Sequence, residues 1–589
     1  MMINPTIKIV TDRITKRSEA TRSLYLNKMN DARKEGPKRA HLSCGNQAHA
    51  YAPVPEDQKR LIDGAGGNIG IINAYNDMLS AHQPFEKYPD IIKKAARLAG
   101  GTAQVAAGVP AMCDGITQGQ TGMELSLFSR DAIAMSAAIG LSHNVFDTTV
   151  YLGVCDKIVP GMIISAATFG HLPAVFLPAG PMTTGQSNDE KAKIRQDFAE
   201  GKANRSDLMA SEMASYHGPG TCTFYGTANT NQMLMEFMGL HLPGSSFVNP
   251  NTPLRDALTD FGAKHALSIS DLSSNYIPVS KILDEKAYVN GIVGLMATGG
   301  STNLLIHLIA MARASGIIID WSDFAEISKV IPLLAKVYPN GLADVNHFHA
   351  AGGLGLVITE LLGANLLHSD TQTIMGNGLE AYTKEPKIID GELDWHSGAS
   401  SSLNSKIIST TLDPFQETGG LADLNGNLGS AVMKVSAVEI SRRKITAPVR
   451  VFNDQESVLK AFRDGEFIND VIIAVRYQGP RANGMPELHN LTPCMSVLQT
   501  RGLNVALITD GRMSGASGKV PAAIHMSPEA LDEGPIAYLQ DGDIVTVNAL
   551  NGTIDVDNNK IFDRKVNHPD LMNNSFGVGR ELFDIFRNN

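Results

Sequence analysis

Two of the cysteines in this chain lie in contexts suited to binding a soft metal. Cys155 opens the tripeptide Cys155-Asp156-Lys157 after an apolar run, and Cys222 lies in the Gly- and Thr-rich segment 217–231. The end of a buried strand is where α/β proteins present ligands, and thiolates select iron–sulfur clusters, zinc or copper. Neither cysteine belongs to a Cys-x-x-Cys pair, so spacing alone leaves open metal binding or a small buried side chain.

Three carboxylates lie in loop-like segments rich in Gly or Pro. They are Asp114 in AMCDGITQGQTG, Asp156 beside Cys155, and Glu487 in GMPELHN. Carboxylates in such loops can hold Mg²⁺, whereas each alone is equally typical of a turn-capping acid. A magnesium site is therefore predicted only if the three side chains meet in space.

A serine follows an apolar run in ITDGRMSGASGKV, residues 508–520. A Ser-Gly turn at a strand end can project the Ser514 hydroxyl into a cleft, although ordinary turns look the same. The segment is not a Walker A loop, because Met513 occupies the position that requires Gly. The chain also lacks HExxH, GxSxG and a complete GxGxxG after a strand, which removes the usual support for hydrolase and nucleotide-binding functions.

The elements that must position these side chains alternate in the first two-thirds of the chain. Apolar runs bounded by turn residues predict strands, and longer segments with helical periodicity predict helices. Alternation of this kind indicates an α/β layer architecture with a parallel sheet. The predicted strands are 67–75, 148–155 and 172–180, and the predicted helices are 122–141 and 301–316.

The composition changes at the polar, Ser- and Gly-rich segment 385–405. We place a domain boundary there, between residues 1–390 and 391–589. Strand patterns dominate the second part, which predicts a β-rich barrel or sandwich. They are 447–452, 471–477, 503–511 and a hairpin at 543–556 joined by Asn551-Gly552.

Composition excludes several classes of protein. Fifty Lys and Arg against 60 Asp and Glu give a net charge of −10, whereas nucleic-acid-binding surfaces are basic. No apolar run approaches a membrane span, and the N-terminal residues lack the apolar core of a secretory signal. Five scattered cysteines do not make a disulfide scaffold. A cytoplasmic globular protein is therefore expected.

Six ordered segments resemble the iron–sulfur dehydratases that act on dihydroxy acids and sugar acids. The resemblance extends from about residue 65 to the C-terminus. Segments 72–89 and 573–587 are closest to the branch that acts on a phosphorylated sugar acid. The six segments are 108–131, 155–162, 220–233, 299–308, 484–493 and 509–519.

The resemblance implies an architecture and an activity. The fold class is α/β, with an N-terminal α/β/α layered domain and a C-terminal β-barrel domain like the swivelling domain of aconitase. The active site lies between the two domains, and relatives form homodimers. The implied reaction is elimination of water from a small-molecule phosphorylated sugar acid, with no nucleic acid or membrane involved.

The resemblance also implies an iron–sulfur cofactor. Members with a [2Fe–2S] cluster bind it with three cysteines, of which this chain matches Cys155 and Cys222. Ala81 and His82 stand where those members have the third cysteine. The closest branch implies a [4Fe–4S] cluster instead, for which Cys113 is the first candidate as third ligand, ahead of His82 and Cys44.

Further site residues follow from the matching motifs. Asp114, Asp156, Lys157 (carbamylated in some relatives) and Glu487 match the Mg²⁺ site of the [2Fe–2S] members. Whether the [4Fe–4S] branch keeps that ion stays open. Ser514 matches the serine proposed to remove the proton at C2.

The phosphate of such a substrate needs a site of its own. Arg side chains and backbone N–H groups at a helix N-terminus are the natural means of holding it, although most Arg residues are solvated surface charges. The candidate substrate-binding residues are Ser301, Thr302, Asn303, Arg512, Lys519 and Arg580.

Two alternatives remain at this stage. The protein could be another dehydratase of the family, acting on an unphosphorylated sugar acid or a branched 2,3-dihydroxy acid. It could also be a non-catalytic iron or redox sensor, against which the presence of Ser514, Asp114 and Glu487 argues. Substrate turnover distinguishes the three.

Overall fold

The computed structural model describes residues 2–64, 66–515 and 518–587. The helices are α1 Pro5–Lys34, α2 Cys44–Tyr51, α3 Gln58–Asp63, α4 Tyr88–Leu98, α5 Asp114–Thr117, α6 Ser126–Leu141, α7 Ile158–Thr168, α8 Asn188–Ala199, α9 Arg205–Ser215, α10 Thr227–Phe237, α11 Pro253–Ser268, α12 Val279–Ile282, α13 Glu285–Thr298, α14 Asn303–Ala314, α15 Trp321–Ser328, α16 Val345–Ala350, α17 Gly353–Gly363, α18 Gln455–Arg463, α19 Pro480–Asn483, α20 Leu491–Thr500 and α21 Asp584–Arg587. The strands are β1 Asn68–Asn73, β2 Thr102–Gly108, β3 Thr148–Leu152, β4 Ala174–Phe176, β5 Gln372–Thr373, β6 Gly376–Asn377, β7 Lys384–Ile389, β8 Glu392–Ser397, β9 Leu421–Gly426, β10 Gly429–Lys434, β11 Lys444–Phe452, β12 Val471–Val475, β13 Val505–Thr509, β14 Ala522–Ser527, β15 Ile544–Asn548 and β16 Thr553–Val556.

A four-stranded parallel sheet organises the first part of the chain. Its order is β2-β1-β3-β4, and the apolar strands β1 and β3 at its centre are almost entirely buried. Helices α4 and α11 pack against this sheet, as does α6, which also packs on α7. Helices covering a parallel sheet bury both faces, so the predicted α/β/α layering is confirmed.

The predicted elements of this part are present with shorter bounds. Strands β1, β3 and β4 lie within the three predicted runs, α6 within 122–141 and α14 within 301–316. Strand β2 was not predicted, because its sequence TAQVAAG lacks the alternation of a typical strand and is partly exposed after its first two residues.

Beyond the sheet, a helical layer forms the middle of the core. Helix α13 is buried from Ala287 to Thr298, and α10 is buried along nearly its whole length. A helix that is buried on all sides must be surrounded by other elements. The two helices contact each other, and α10 also contacts α14, so the loops that precede α10 and α14 meet.

The second part is built on an eight-stranded mixed sheet in the order β16-β15-β11-β12-β13-β14-β10-β9. The backbone N–H of Asn425 donates to the Gly552 carbonyl at 3.0 Å, which links the two edges. The sheet is therefore a nearly closed barrel, as predicted. The predicted hairpin is present as β15 and β16, although its loop contains the four residues 549–552.

The hairpin of β7 and β8 spans the position of the predicted domain boundary, which stays a prediction. The indole N–H of Trp395 on β8 donates to the Pro243 carbonyl at 2.9 Å, and its ring lies 4.8 Å from that of Phe261. The hairpin therefore packs against the first part of the chain. Among the described residues, no helix is long and apolar enough to span a bilayer.

A buried lysine joins the barrel to the first part. Lys434, at the end of β10, is 7% exposed and donates from Nζ to the Gly299 carbonyl at 2.9 Å. That carbonyl also accepts from Nδ2 of Asn340 at 2.7 Å. Lys434 forms no ion pair in the described part of the chain, and burial lowers its pKa to about 7.

We expect Lys434→Met to stabilise the protein most at or below pH 7. A folded-state pKa below the unfolded value means that the unfolded chain binds the extra proton between about pH 7 and 10.5, so wild-type stability rises with pH there by up to ~1.4 kcal/mol per unit. The advantage of Lys434→Met should shrink over that range in thermal unfolding under anaerobic conditions. Lys444→Met, at an exposed lysine of β11, is the control; an advantage independent of pH would contradict the prediction.

Candidate active site

The tripeptide Cys155-Asp156-Lys157 forms the turn between β3 and α7. It lies at the carboxyl end of a central parallel strand, where α/β sheets bind ligands. Cys155 adopts φ +75°, a left-handed conformation that non-glycine residues rarely take and that concentrates at functional sites. Nδ2 of Asn231, on α10, donates to the Cys155 and Asp156 carbonyls at 3.3 and 3.2 Å and holds this turn.

Cys113 and Asp114 follow β2, the edge strand that β1 separates from β3. Asp114 is the first residue of the short helix α5, and Cys113 is its N-cap residue. Burial raises the pKa of the Cys113 thiol, while the backbone N–H groups of Ile116 and Gly115 oppose the shift by facing the sulfur. N–H groups directed at sulfur are the environment in which a metal-bound thiolate is stabilised.

Cys222 lies in the loop before α10. Nδ2 of Asn229 donates to the carbonyls of Cys222 and Phe224 at 2.7 and 2.8 Å, and Gly220 N–H donates to the Ser80 carbonyl at 2.7 Å. The loop therefore has a fixed shape and adjoins the segment that contains His82.

The three thiols are neighbours. Burial raises the pKa of Cys155 well above its usual value, with added effects from Cys113 and Cys222. Burial also raises the pKa of Cys222 to about 12, and Cys113 is the next largest cause. Groups that shift each other's pKa lie close together, so three separate loops bring these sulfurs to one place.

The other candidate ligands have different surroundings. His82 is buried, its Nε2 lies 3.2 Å from the Val154 carbonyl, and burial lowers its pKa to about 4. Its Nδ1 has no partner among the described residues. Cys44 is exposed at the start of α2, and Cys494 is buried in α20 with its thiol donating to the Leu491 carbonyl.

Three carboxylates meet beside the thiols. Oxygen atoms of Asp114, Asp156 and Glu487 lie within 4.8 Å of one another, and all three side chains are buried. Lys157 forms ion pairs with both Asp114 and Asp156. The condition that the sequence left open for a magnesium site, convergence of the three acids, is met.

Arg512 completes the charged cluster. Its guanidinium is fully buried and pairs with Glu487 at 2.8 Å and with Asp114 at 3.2 Å, and its Nε donates to the Met485 carbonyl at 2.8 Å. Arg512 was one of the candidates for binding the substrate phosphate, and that role stays a prediction. Its contacts with Glu487 and Asp114 join the barrel to the loop of Asp114.

Electrostatics differ among the three acids. Burial favours a raised pKa at Asp114, but the charges of Lys157 and Arg512 outweigh it and lower that pKa. Burial and the charge of Asp114 raise the pKa of Asp156. Burial raises the pKa of Glu487 to about 7 despite the opposing charge of Arg512. Asp114, which pairs with both Lys157 and Arg512, is therefore the carboxylate held most strongly in its charged form.

The segment Ser301-Thr302-Asn303 lies against the same cluster. Nδ2 of Asn303 donates to Glu487 at 3.1 Å and to the Met513 carbonyl at 3.2 Å. The Ser301 hydroxyl lies 2.7 Å from that of Thr227, at the start of α10. Thr302 is buried at the N-cap of α14.

Ser514 lies at the meeting point of these loops. It is 8% exposed, and a Cβ built at the next residue, Gly515, would lie 2.7 Å from the Thr227 backbone nitrogen and 2.9 Å from the Ser301 hydroxyl. Only glycine fits this approach. The N-terminus of α10 therefore lies beside Gly515, the residue after Ser514, and its partial positive charge favours an anionic oxygen nearby.

Two predicted substrate-binding residues lie outside this cluster. Arg580 pairs with Glu124 at 2.5 Å, near the C-terminal end of the described chain. Lys519 is exposed, with Nζ 5.8 Å from the ring centre of Tyr338. Their roles stay predictions.

Sequence reasoning missed residues that support the cluster. The Ser126 hydroxyl donates to Asp114 at 2.5 Å. His307 of α14 is buried, with no partner for Nε2 among the described residues, and burial with the nearby charges of Arg130 and Lys157 holds its pKa well below normal. The helical pattern of the sequence does not distinguish buried polar residues such as Ser126 and His307 from their neighbours. The segment 299–308, which contains His307, was nevertheless one of the six that resemble the family.

The residues present fit the two implied cofactors. Among the described side chains, the sulfurs of Cys113, Cys155 and Cys222 do not all lie within 4.8 Å of one another, as the ligands of a single metal ion would. A wider spacing is compatible with an iron–sulfur cluster, because each cysteine then binds a different iron. The carboxylates offer the hard oxygen atoms that Mg²⁺ prefers. The side-chain oxygen of Asn303, buried beside Glu487, has no partner among the described residues. This oxygen can therefore accept a hydrogen bond from a bound group.

Comparison with known proteins identifies the family. The N-terminal model of the dihydroxy-acid/6-phosphogluconate dehydratases matches residues 67–382, and the C-terminal model matches residues 406–588. The chain is 58% identical to a phosphogluconate dehydratase of Rhizobium meliloti, covering all of this chain and 98% of the relative.

Two further relatives are similar to this chain over most of its length. A phosphogluconate dehydratase of Escherichia coli K12 is 55% identical over 99% of this chain and 98% of its own length. A dihydroxy-acid dehydratase of Acetivibrio thermocellus is 35% identical over 90% of this chain and 92% of its own. With thiols, carboxylates and Ser514 gathered where the two halves meet, and both halves matched, the chain belongs to the dihydroxy-acid/6-phosphogluconate dehydratase family.

Proposed function

We propose that the protein is a phosphogluconate dehydratase, a hydro-lyase of the Entner–Doudoroff pathway. It removes water from 6-phospho-D-gluconate and yields 2-dehydro-3-deoxy-6-phosphogluconate. A cytoplasmic location, which composition favours, and a homodimeric state, which the resemblance implies, belong to the same proposal.

The observation that carries the proposal is the convergence of three kinds of group at one site. Thiols, carboxylates with two cations, and the Ser514 loop come from both halves of the chain, and full-length relatives at 52–58% identity bear this enzyme name. The relative named for a dihydroxy acid is 35% identical, which favours the phosphorylated substrate over the branched dihydroxy acid.

Cys113, Cys155 and Cys222 would hold a [4Fe–4S] cluster. When bound, it supplies an iron with an open coordination position, a Lewis acid that weakens the bond between C3 and its hydroxyl. Asp114, Asp156 and Glu487 would hold a divalent ion once Lys157 gives up its ammonium charge, as carbamylation achieves in some relatives. Such an ion supplies positive charge to the carboxylate end of the substrate.

Ser514 takes the proton from C2. A serine hydroxyl is a weak base at its ordinary pKa, so the reaction needs an environment that stabilises the alkoxide. The N-terminus of α10 and the buried cation Arg512, two residues before Ser514, provide positive charge. The C2 proton and the C3 hydroxide leave together as water, and the enol then takes a proton at C3 to become the 2-keto acid.

The remaining residues hold charge and exclude water. Arg512 keeps its positive charge beside Asp114 and Glu487, where it can stabilise the negative charge that develops as the C2 proton leaves. Its guanidinium is fully buried, so its field is screened less than that of a surface charge. Asn303 fixes Glu487 and the Met513 carbonyl in one arrangement.

Comparison of three substrates tests this proposal. We expect anaerobic, iron–sulfide-reconstituted protein to turn over 6-phosphogluconate with a kcat/KM at least ~100-fold above that for gluconate or a branched 2,3-dihydroxy acid, since phosphate contacts contribute several kcal/mol. A higher kcat/KM for either unphosphorylated acid would replace the named substrate. No turnover of any acid by cluster-loaded protein would favour the sensor alternative.

A further inference from the structure

Two buried lysines in the described part of the chain lack a carboxylate partner. Of the lysines that are at least nine-tenths buried, Lys157 pairs with two acids, whereas Lys191 and Lys434 form no ion pair. A buried ammonium without an anion is costly unless a ligand supplies one. Lys434 donates to a backbone carbonyl, and burial alone accounts for its lowered pKa. Lys191 is therefore the stronger candidate for binding an anionic ligand.

Lys191 lies beside the thiol cluster. It is 8% exposed on α8, and its Nζ donates to the Tyr216 hydroxyl at 2.7 Å. The same nitrogen lies 3.9 Å from the ring centre of Tyr216 and 5.9 Å from that of Phe224. Phe224 is two residues after Cys222, so the ammonium stands next to the loop of the proposed cluster ligand.

Other cations surround the same loop. Arg195, one turn along α8, pairs with Glu212 at 2.6 Å and with no other carboxylate among the described residues. Lys519 stands over the ring of Tyr338, whose carbonyl accepts from the Tyr225 N–H at 2.8 Å. Lys519 forms no ion pair with a described side chain.

The balance of charge around the loop is positive. The negative charge of Glu212 offsets the positive charge of Arg195, with which it forms an ion pair. Asp189, at the start of α8, contributes a second negative charge, which adds to the effect of burial in raising the pKa of Tyr338. His489 also faces Arg195 and Lys191, and burial lowers its pKa to about 4, which leaves it neutral. Lys191 and Lys519 remain without a carboxylate in ion-pair contact.

Cys222 is within electrostatic reach of Lys191 and of the carboxylate Asp156, both of which affect its pKa. Burial lowers the pKa of Lys191 to about 8, with Arg195 adding to the shift and Glu212 and Cys222 opposing it. The ring of Phe224, two residues after Cys222, lies 5.9 Å from the Lys191 ammonium, so a substrate held at the cluster could reach Lys191 with its far end.

We propose that Lys191, assisted by Arg195 and Lys519, binds the terminal phosphate of the substrate and so selects a phosphorylated sugar acid. This inference rests on the proposed function. A phosphate dianion supplies the partner that the buried ammonium lacks, and charge-assisted hydrogen bonds of this kind are strong. Of the residues that the sequence analysis put forward for this role, only Lys519 belongs to the group.

The variant Lys191→Gln tests the proposal, with Lys193→Gln as the matched control. Lys193 lies on the same helix but is exposed and pairs with Asp197 at 3.0 Å. We expect Lys191→Gln to raise KM for 6-phosphogluconate about 10- to 100-fold with a much smaller change in kcat. Inhibition by inorganic phosphate should weaken by a similar factor, and iron content should stay at the wild-type level.

The outcomes separate this inference from the proposed function. Unchanged KM and phosphate inhibition in Lys191→Gln, with wild-type protein active on 6-phosphogluconate, would overturn the phosphate site alone. Loss of iron from Lys191→Gln would assign the lysine to the cluster instead and would also overturn it. Wild-type protein inactive on 6-phosphogluconate would overturn the proposed function. If Lys191→Gln does not fold, Lys519→Gln at the exposed lysine carries the same test, and its unchanged KM counts against the site.

Discussion

Replacement of Ser514 by Ala should lower kcat about 10²- to 10⁴-fold while iron content stays at the wild-type level. This is the range over which a positioned general base contributes to catalysis. The serine is buried where the Gly515 turn meets the N-terminus of α10, and it is not among the groups that would ligate the cluster. The loss should therefore appear in kcat, with KM changing little.

The measurement is steady-state turnover of anaerobically reconstituted protein, normalised to iron. Ser430→Ala is the control, because the Ser430 hydroxyl, at the end of a barrel hairpin, donates to the Asn425 side chain at 2.7 Å and to no other group in the described part of the chain. Ser514→Ala within tenfold of wild-type kcat, with full iron content, would show that another group removes the C2 proton.

The second large effect concerns the thiols. We expect Cys113→Ser, Cys155→Ser and Cys222→Ser each to lose iron on purification and to lose activity by more than the 10- to 100-fold typical of residues that only support a metal ligand. A serine hydroxyl is a poor substitute for a thiolate as a ligand for iron. Iron and sulfide analysis with the visible absorption of the cluster would measure the loss.

The remaining cysteines provide matched controls. Cys44→Ser alters an exposed thiol and Cys494→Ala a buried one outside the site, so both should keep iron and activity. The pair Cys113→Ser and His82→Gln decides the third ligand. Iron kept by Cys113→Ser but lost by His82→Gln would move that role to His82.

The sequence was sufficient to predict the layers and to name candidate site residues, but not to show which of them meet. Buried strands such as β3 have a clear apolar pattern, and the motifs that follow them name Cys155 and Asp156 directly. Convergence of Asp114, Asp156 and Glu487 could not be read from spacing, because it depends on how the barrel docks against the parallel sheet.

Roles that depend on long-range partners were harder to predict. Arg512 has the residue type expected for a phosphate ligand, and its fully buried contacts with Glu487 and Asp114 could not be read from the sequence. Lys191 lies in NDEKAKIRQDFA, whose many charges are typical of a solvated helix. The aromatic side chains that bury it, Tyr216 and Phe224, come from other segments.

Elimination of water initiated at C2 is the central claim, and one measurement tests it most directly. Reconstituted protein would convert 6-phosphogluconate anaerobically in D₂O, with the product followed by NMR. We predict a 2-keto-3-deoxy acid phosphate with deuterium from solvent at C3, because the enol takes its proton there after C2 has lost its own. An unchanged substrate, or a product that keeps its oxygen at C3, would contradict the account.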